Sequence, residues 1–209
     1  MQRARSDILN LLTRTLDLVL RRLGRIRDIS DDPTCIYSLS LGTARKNTAL
    51  PDGTVIQKGD PVGVIHIRSD RVPPIPPSGP EMAWANTTAR IARRSLGLLA
   101  EYVSAHPALA HLVAFGNDSF FLNTRPNTRL LEKIGFVVFR EDPPGNPLGR
   151  LRVAVARFWT WLLRRAFNQE SVRGVYPRDL VHHSMWLSRR ALFGRLAADP
   201  EIQEESDQA

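Results

Sequence analysis

The chain has 209 residues, of which 43% are apolar and 24% charged, and its 29 Lys+Arg against 21 Asp+Glu give a formal net charge of +8; this is the composition of a globular chain long enough for one domain with a sizeable core. Its single cysteine, Cys35, excludes a disulfide scaffold and a cysteine-based zinc site. No run of 18 apolar residues is present, which excludes a spanning helix, and Arg14 and Asp17 interrupt the only candidate leader, so an intracellular protein is expected.

Ser6 and Asp7 offer N-cap chemistry before a helix in which Ile8, Leu11, Leu12, Leu16, Val19, Leu20 and Leu23 recur at three and four, with Gly24 as its stop. Ser30-Asp31-Asp32-Pro33 is a turn, and Cys35 to Leu41 alternates as a strand. Turns at Leu50–Gly53 and Lys58–Pro61 flank Thr54–Ile56 and lead into Val62–Ile67, which together read as a β-meander. Five prolines between 71 and 80 mark a surface loop.

A long helix is expected over 81–105, with Pro80 in its first turn and Ile91, Leu98, Leu99, Tyr102 and Val103 as its buried stripe. Leu112–Gly116 reads as a buried strand, Pro126–Lys133 as a short helix closed by Gly135, and Phe136–Phe139 as a strand. A long helix over 148–167 follows, then a strand over 181–187 and a last helix over 189–196 capped by Ser188. The expected class is α+β, with a mixed, mostly antiparallel sheet, a long central helix, and amphipathic helices early and late. The expected organisation is an N-terminal amphipathic helix (1–29), one domain (30–198) and a disordered acidic tail (199–209).

That tail holds five acids and no base, so the body is left with 29 basic against 16 acidic residues, +13. Residues 1–27 hold seven arginines and two aspartates, and residues 148–168 five arginines and no acid. In 148–167, Leu151, Val155, Phe158, Leu162 and Ala166 share one face, with Arg152, Arg157, Trp159, Trp161, Arg164 and Arg165 around it. Arginine and tryptophan bordering an apolar face suit an interfacial helix on anionic lipid, at the inner face of the membrane. The same pattern suits a core helix packed on the sheet, with arginine stems covering its rim. Nucleic acid is not the expected partner, because no helix-turn-helix, RNP-like aromatic pair or zinc finger accompanies the charge.

No metal site is expected: the five histidines form no His-x-x-x-His pair, and His182 and His183, adjacent on a strand, point to opposite faces. Gly-x-Ser-x-Gly is absent, and Asp60 stands where a P-loop after Gly53 and Gly59 requires lysine. The residues to test for catalysis are Asp52, Asp60 and His66, since a carboxylate meeting His66 across the meander could orient it as a base. The alternative is that both aspartates bond their own turns.

The segment Asn127-Thr-Arg-Leu-Leu-Glu-Lys-Ile-Gly-Phe136 resembles the helix-to-strand segment of GNAT-type N-acetyltransferases, as does the order meander, long helix, strand, short helix, strand. The resemblance implies an acyl-CoA cofactor, with Arg94 and Gly97 as the half-matched pyrophosphate loop; Leu131 stands where that family has a tyrosine acid. A broader resemblance, spanning roughly residues 8–196, is to the YkoP-like domain family. It is carried by the N-terminal helix, the hairpin from Leu50 to Ile67, the Gly135-Phe136 turn and Met185–Leu192. That family is bacterial and occurs alone or beside polysaccharide deacetylase domains. The resemblance brings no established activity; the expectation is a non-catalytic accessory or binding domain related to cell-envelope polysaccharide metabolism, with a polysaccharide-modifying enzyme as a partner and no cofactor.

Overall fold

The computed structural model describes residues 2–76, 78–79, 81–122 and 125–196. Pro80 and the acidic tail lie outside the described residues. In chain order the elements are α1 (Gln2–Leu23), β1 (Arg27–Asp28), β2 (Tyr37–Thr43), β3 (Thr48–Ala49), β4 (Val55–Ile56), β5 (Pro61–Ile67), α2 (Met82–Ala105), β6 (Ala114–Leu122), α3 (Arg125–Ile134), β7 (Val137–Arg140), α4 (Pro147–Phe167), β8 (Leu180–Ser188) and α5 (Arg189–Leu196). The chain is α+β, as its mixture of periodicities predicts.

Six strands form one sheet in the order β1-β2-β5-β6-β8-β7. Every neighbouring pair is antiparallel except β5 and β6, which run parallel and pair only from Val62–Ala114 to Val64–Gly116. The expected meander is interrupted: β2 pairs directly with β5, and β3 and β4 leave as a separate two-stranded hairpin. The Leu50–Thr54 turn is closed by its own backbone bond, so the hairpin forms locally and needs no place in the main sheet.

One sheet face holds the main core. Leu39, Ile65, Phe115, Met185 and Leu187 meet Leu96, Leu99 and Val103 of α2. The buried stripe of α2 is smaller than its sequence predicts: Ala89, Ala92, Ser95 and Ala100 are buried, whereas Ile91, Leu98 and Tyr102 are only partly so. Small side chains bring the helix backbone close to the sheet. Close approach lets the Ser95 hydroxyl accept from the Ile36 N–H (3.0 Å) while donating to the Ile91 carbonyl (2.8 Å). Gly135, at φ +117°, reverses the chain between α3 and β7, a conformation that glycine adopts without a Cβ clash.

The opposite face is covered differently. The β3–β4 hairpin caps a small apolar cluster of Leu50, Ile56, Val62 and Ala114. The rest lies under α1 and α4, which pack on each other where Arg14 donates to the Ala166 carbonyl (2.8 Å) and lies over the Phe167 ring. Both helices turn charged or polar residues toward the domain and leave part of their apolar face outside. In α1 the side turned to the domain carries Asn10, Thr13, Asp17 and Arg21, while Leu12, Leu16, Val19 and Leu23 are exposed. In α4, Arg157 and Arg164 turn inward, and Leu148, Leu151, Val155 and Phe158 stay more than half exposed. Of the two readings of 148–167, packing on the sheet holds only for the later part of the apolar face, where Ala166 is buried and Leu162 partly covered; Leu151, Val155 and Phe158 point away from a sheet surface that mixes Phe120 and Trp186 with His182 and Ser184.

Two local expectations also change. The first helix begins at Gln2, so Ser6 and Asp7 lie within it and do not cap it. Its end is taken by Arg25 at φ +51°, one residue beyond Gly24. Ser188 caps α5 as predicted, accepting from the Ala191 N–H at 2.8 Å.

Candidate functional site

The polar surface beneath α4 and α1 is built by strand alternation. On β8, Met185 and Leu187 point to the main core, so His182, Ser184 and Trp186 point to the other face. His182 stacks on Phe120 and His183 on Phe121, neighbours on β6 that face opposite ways. The two histidines therefore share no ligand, and the described residues contain no group of three or more His, Cys, Asp or Glu placed to hold a metal.

Ser184 pairs across the sheet with Asp118 on one side and Phe139 on the other. Its hydroxyl donates to Glu141, whose carboxylate also meets Lys46 Nζ at 2.5 Å. Burial pushes the Glu141 carboxyl up, but the bonds from Lys46 and Ser184, with the Lys46 charge, hold it below its ordinary value. Asp118 meets Arg45 at 3.2 Å. Burial lowers the His182 pKa, and the charge of Arg157 adds to that against Asp118 and Glu141. The Nδ1 atom of His182 and the Nε atom of Arg157 are both out of solvent and without a hydrogen-bond partner.

A second polar group lies where α1 meets β2 and β5. Arg21 donates to Asp28 and to the Ser38 hydroxyl, both at 2.8 Å, and Arg68 bridges Asp28 and Asp70. Burial pushes the Asp17 carboxyl up, opposed by Arg21. His66 Nε2 lies 2.8 Å from the Ser40 hydroxyl. Burial, helped by Arg21, pushes the His66 pKa down to about 4, so the ring is neutral at physiological pH. A hydroxyl beside a neutral imidazole is half of an activated nucleophile; the ring's carboxylate partner is missing among the described hydrogen bonds.

Asp52, Asp60 and His66 are not brought together. Asp60 precedes β5 and accepts from the Gln57 N–H (2.7 Å), while His66 lies near the strand's far end, about 20 Å along an extended chain. Asp52 sits in the β3–β4 turn, accepting from the Thr54 N–H and from the Ser188 hydroxyl. Both aspartates serve their turns. Arg94 pairs with Asp32 at 3.0 Å, and Gly97 is buried in the middle of α2, where its N–H is inside the helix ladder and cannot face a phosphate. In α4, Arg152 is exposed, Trp159 is half-buried, and the Trp161 indole donates to the Val175 carbonyl (2.8 Å) with Arg165 over its ring. Arg164 donates to the Phe120 carbonyl at 3.1 Å, and burial lowers its pKa.

Lys46, Asp118, Glu141 and Ser184 were not singled out by sequence. The alternation His182, Ser184, Trp186 was the available signal, but the partnership of Ser184 with Glu141 depends on the β7–β8 register. On the Glu141 and Asp28 sides the cations of the clusters are each matched by a carboxylate. Arg157 and Arg164 are not: neither forms an ion pair among the described residues.

No helix among the described residues is long and apolar enough to cross a membrane. No curated protein and no solved structure matches the chain. Residues 7–195, which take in most of α1, all of α4 and the whole sheet, match the YkoP domain, and the chain belongs to that family.

Proposed function

We propose that this YkoP-domain protein is a peripheral accessory module that docks on an anionic membrane surface through α1 and α4. The observation that carries this reading is the outward apolar stripe of two adjacent helices, rimmed by the exposed Arg22, Arg150 and Arg152. Each apolar side chain that enters the interface contributes roughly 1–2 kcal/mol, and each arginine near anionic headgroups about 1 kcal/mol. A two-fold dimer through the same face would oppose like charges, which favours lipid as the occupant. Docked at the inner face of the cell envelope, the domain stands beside polysaccharide-modifying enzymes, in keeping with the accessory role that the family resemblance implies.

Flotation with phosphatidylglycerol vesicles against neutral phosphatidylcholine vesicles tests the reading. The wild type is expected to float with the anionic vesicles, and Leu12→Glu with Val155→Glu to remain in solution while staying folded. Absence from both vesicle types, or a dimer in sedimentation that the same double variant dissociates, overturns it.

The parting of β5 and β6 favours a second reading, an acyl-CoA-dependent acyltransferase. Beyond Val64 and Gly116 the two strands no longer pair, and β5 from Ile65 to Ile67 keeps a strand partner only on its β2 side. Such free edges can pair with the amides of an extended pantetheine arm. Calorimetry with acetyl-CoA and longer acyl-CoAs decides it, and no heat at millimolar ligand removes it.

A further inference from the structure

We propose that the seam between α4 and the polar face of the sheet binds a phosphate-bearing ligand, with Arg157 and Arg164 supplying its positive charge and His182 a further donor. A guanidinium inside a protein is ordinarily matched by a carboxylate, because its desolvation is otherwise uncompensated. Here two inward guanidiniums lack that match. Of the five N–H donors of Arg164, one meets the Phe120 carbonyl, and burial alone accounts for the lowering of its pKa. Arg157 has its Nε turned away from solvent with nothing to donate to, and so does His182 at Nδ1.

These groups belong to one place. The ring of Phe120, whose carbonyl holds Arg164, stacks on His182 at 4.8 Å, and the charge of Arg157 acts on His182. Arg157 and Arg164 are seven residues apart on one side of α4, about 10.5 Å along its axis. The nearby acids do not fill the gap: Asp118 is engaged by Arg45, and Glu141 by Lys46 and Ser184. Two guanidiniums with that spacing suit a ligand with more than one anionic oxygen, and their planar donor forks match phosphate. The same chemistry could come from a soluble phosphate compound or from a lipid phosphomonoester headgroup.

The test uses the full chain, with inorganic pyrophosphate in solution and with vesicles in which phosphatidic acid replaces phosphatidylglycerol. Wild-type protein is expected to bind pyrophosphate and to unfold at a higher Tm in its presence. Arg157→Gln should weaken that binding by roughly tenfold or more. Arg164→Met should raise the Tm of the unliganded protein, by removing an unmatched buried charge, and abolish the pyrophosphate response. Loss of pyrophosphate binding with unchanged vesicle preference assigns the site to a soluble ligand. A wild-type preference for phosphatidic acid that Arg157→Gln removes assigns it to a headgroup. Equal behaviour of all three proteins toward both probes, or no response of the wild type to either, overturns the proposal. Because pyrophosphate binding is measured without membrane, failure of lipid docking leaves that arm intact.

Discussion

α2 and α4 are amphipathic helices of 24 and 21 residues on opposite faces of one sheet, and they face opposite ways. α2 turns a stripe of small and apolar residues onto an apolar sheet surface, whereas α4 turns Arg157 and Arg164 onto one of mixed polarity and leaves Leu148, Leu151, Val155 and Phe158 outside. The lesson is that an apolar stripe reports that something will cover it, and the sheet below decides whether that cover is the protein itself. On the α2 side the strand positions turned to the core are Leu39, Ile65, Met185 and Leu187. On the α4 side the alternate positions put Ser38, Ser40, His66, His182 and Ser184 among Val64, Phe120 and Trp186, and those polar groups gain nothing from contact with leucine.

The largest effect that sharpens this contrast is expected from truncation. Leu99→Ala, in the α2 core, should cost about 2–5 kcal/mol in urea unfolding, while Leu151→Ala, 60% exposed on α4, should stay within about 0.5 kcal/mol. A comparable loss at both sites would mean that α4 is packed after all, and would break the comparison.

The next effect belongs to the polar face. The His66 pKa falls from an ordinary 6.5 to about 4 on folding, so between those values the unfolded chain binds a proton that the folded protein refuses. Stability is therefore full above about pH 6.5 and declines as the pH falls toward 4, by on the order of 3 kcal/mol from this group. Urea midpoints near pH 7 and near pH 4.5 should show the decline in the wild type and a flatter profile in His66→Gln. An identical decline in both would assign the loss to other groups.

The smallest effect concerns the link between the hairpin and α5. Ser188→Ala removes both the cap on Ala191 and the donor to Asp52, and should cost about 1 kcal/mol. The Asp52 carboxyl, held down chiefly by Ser188, should titrate higher in the variant, as followed by carboxyl NMR.

Much of the architecture was legible in the chain. The helices, the closing glycine at 135 and the Ser188 cap follow from local periodicity and turn chemistry. The candidate seam was only half legible. His66 and the arginines of α4 stood out by residue type, but the pairing of His66 with Ser40, and of Glu141 with Ser184 and Lys46, joins residues 26 to 95 positions apart. Sequence separation of that size leaves no local trace. The Asp60–His66 pairing failed for the converse reason: residues close in sequence lie at opposite ends of an extended strand.

By itself, then, the sequence determined which segments form helices and strands, where turns break them, and that the net +8 gathers on two amphipathic segments. These follow from backbone sterics and side-chain period, which act over a few residues. Only the tertiary structure decided which way those two helices face. Orientation depends on the polarity of the surface brought beneath them, and that surface is assembled from strands far apart in the chain.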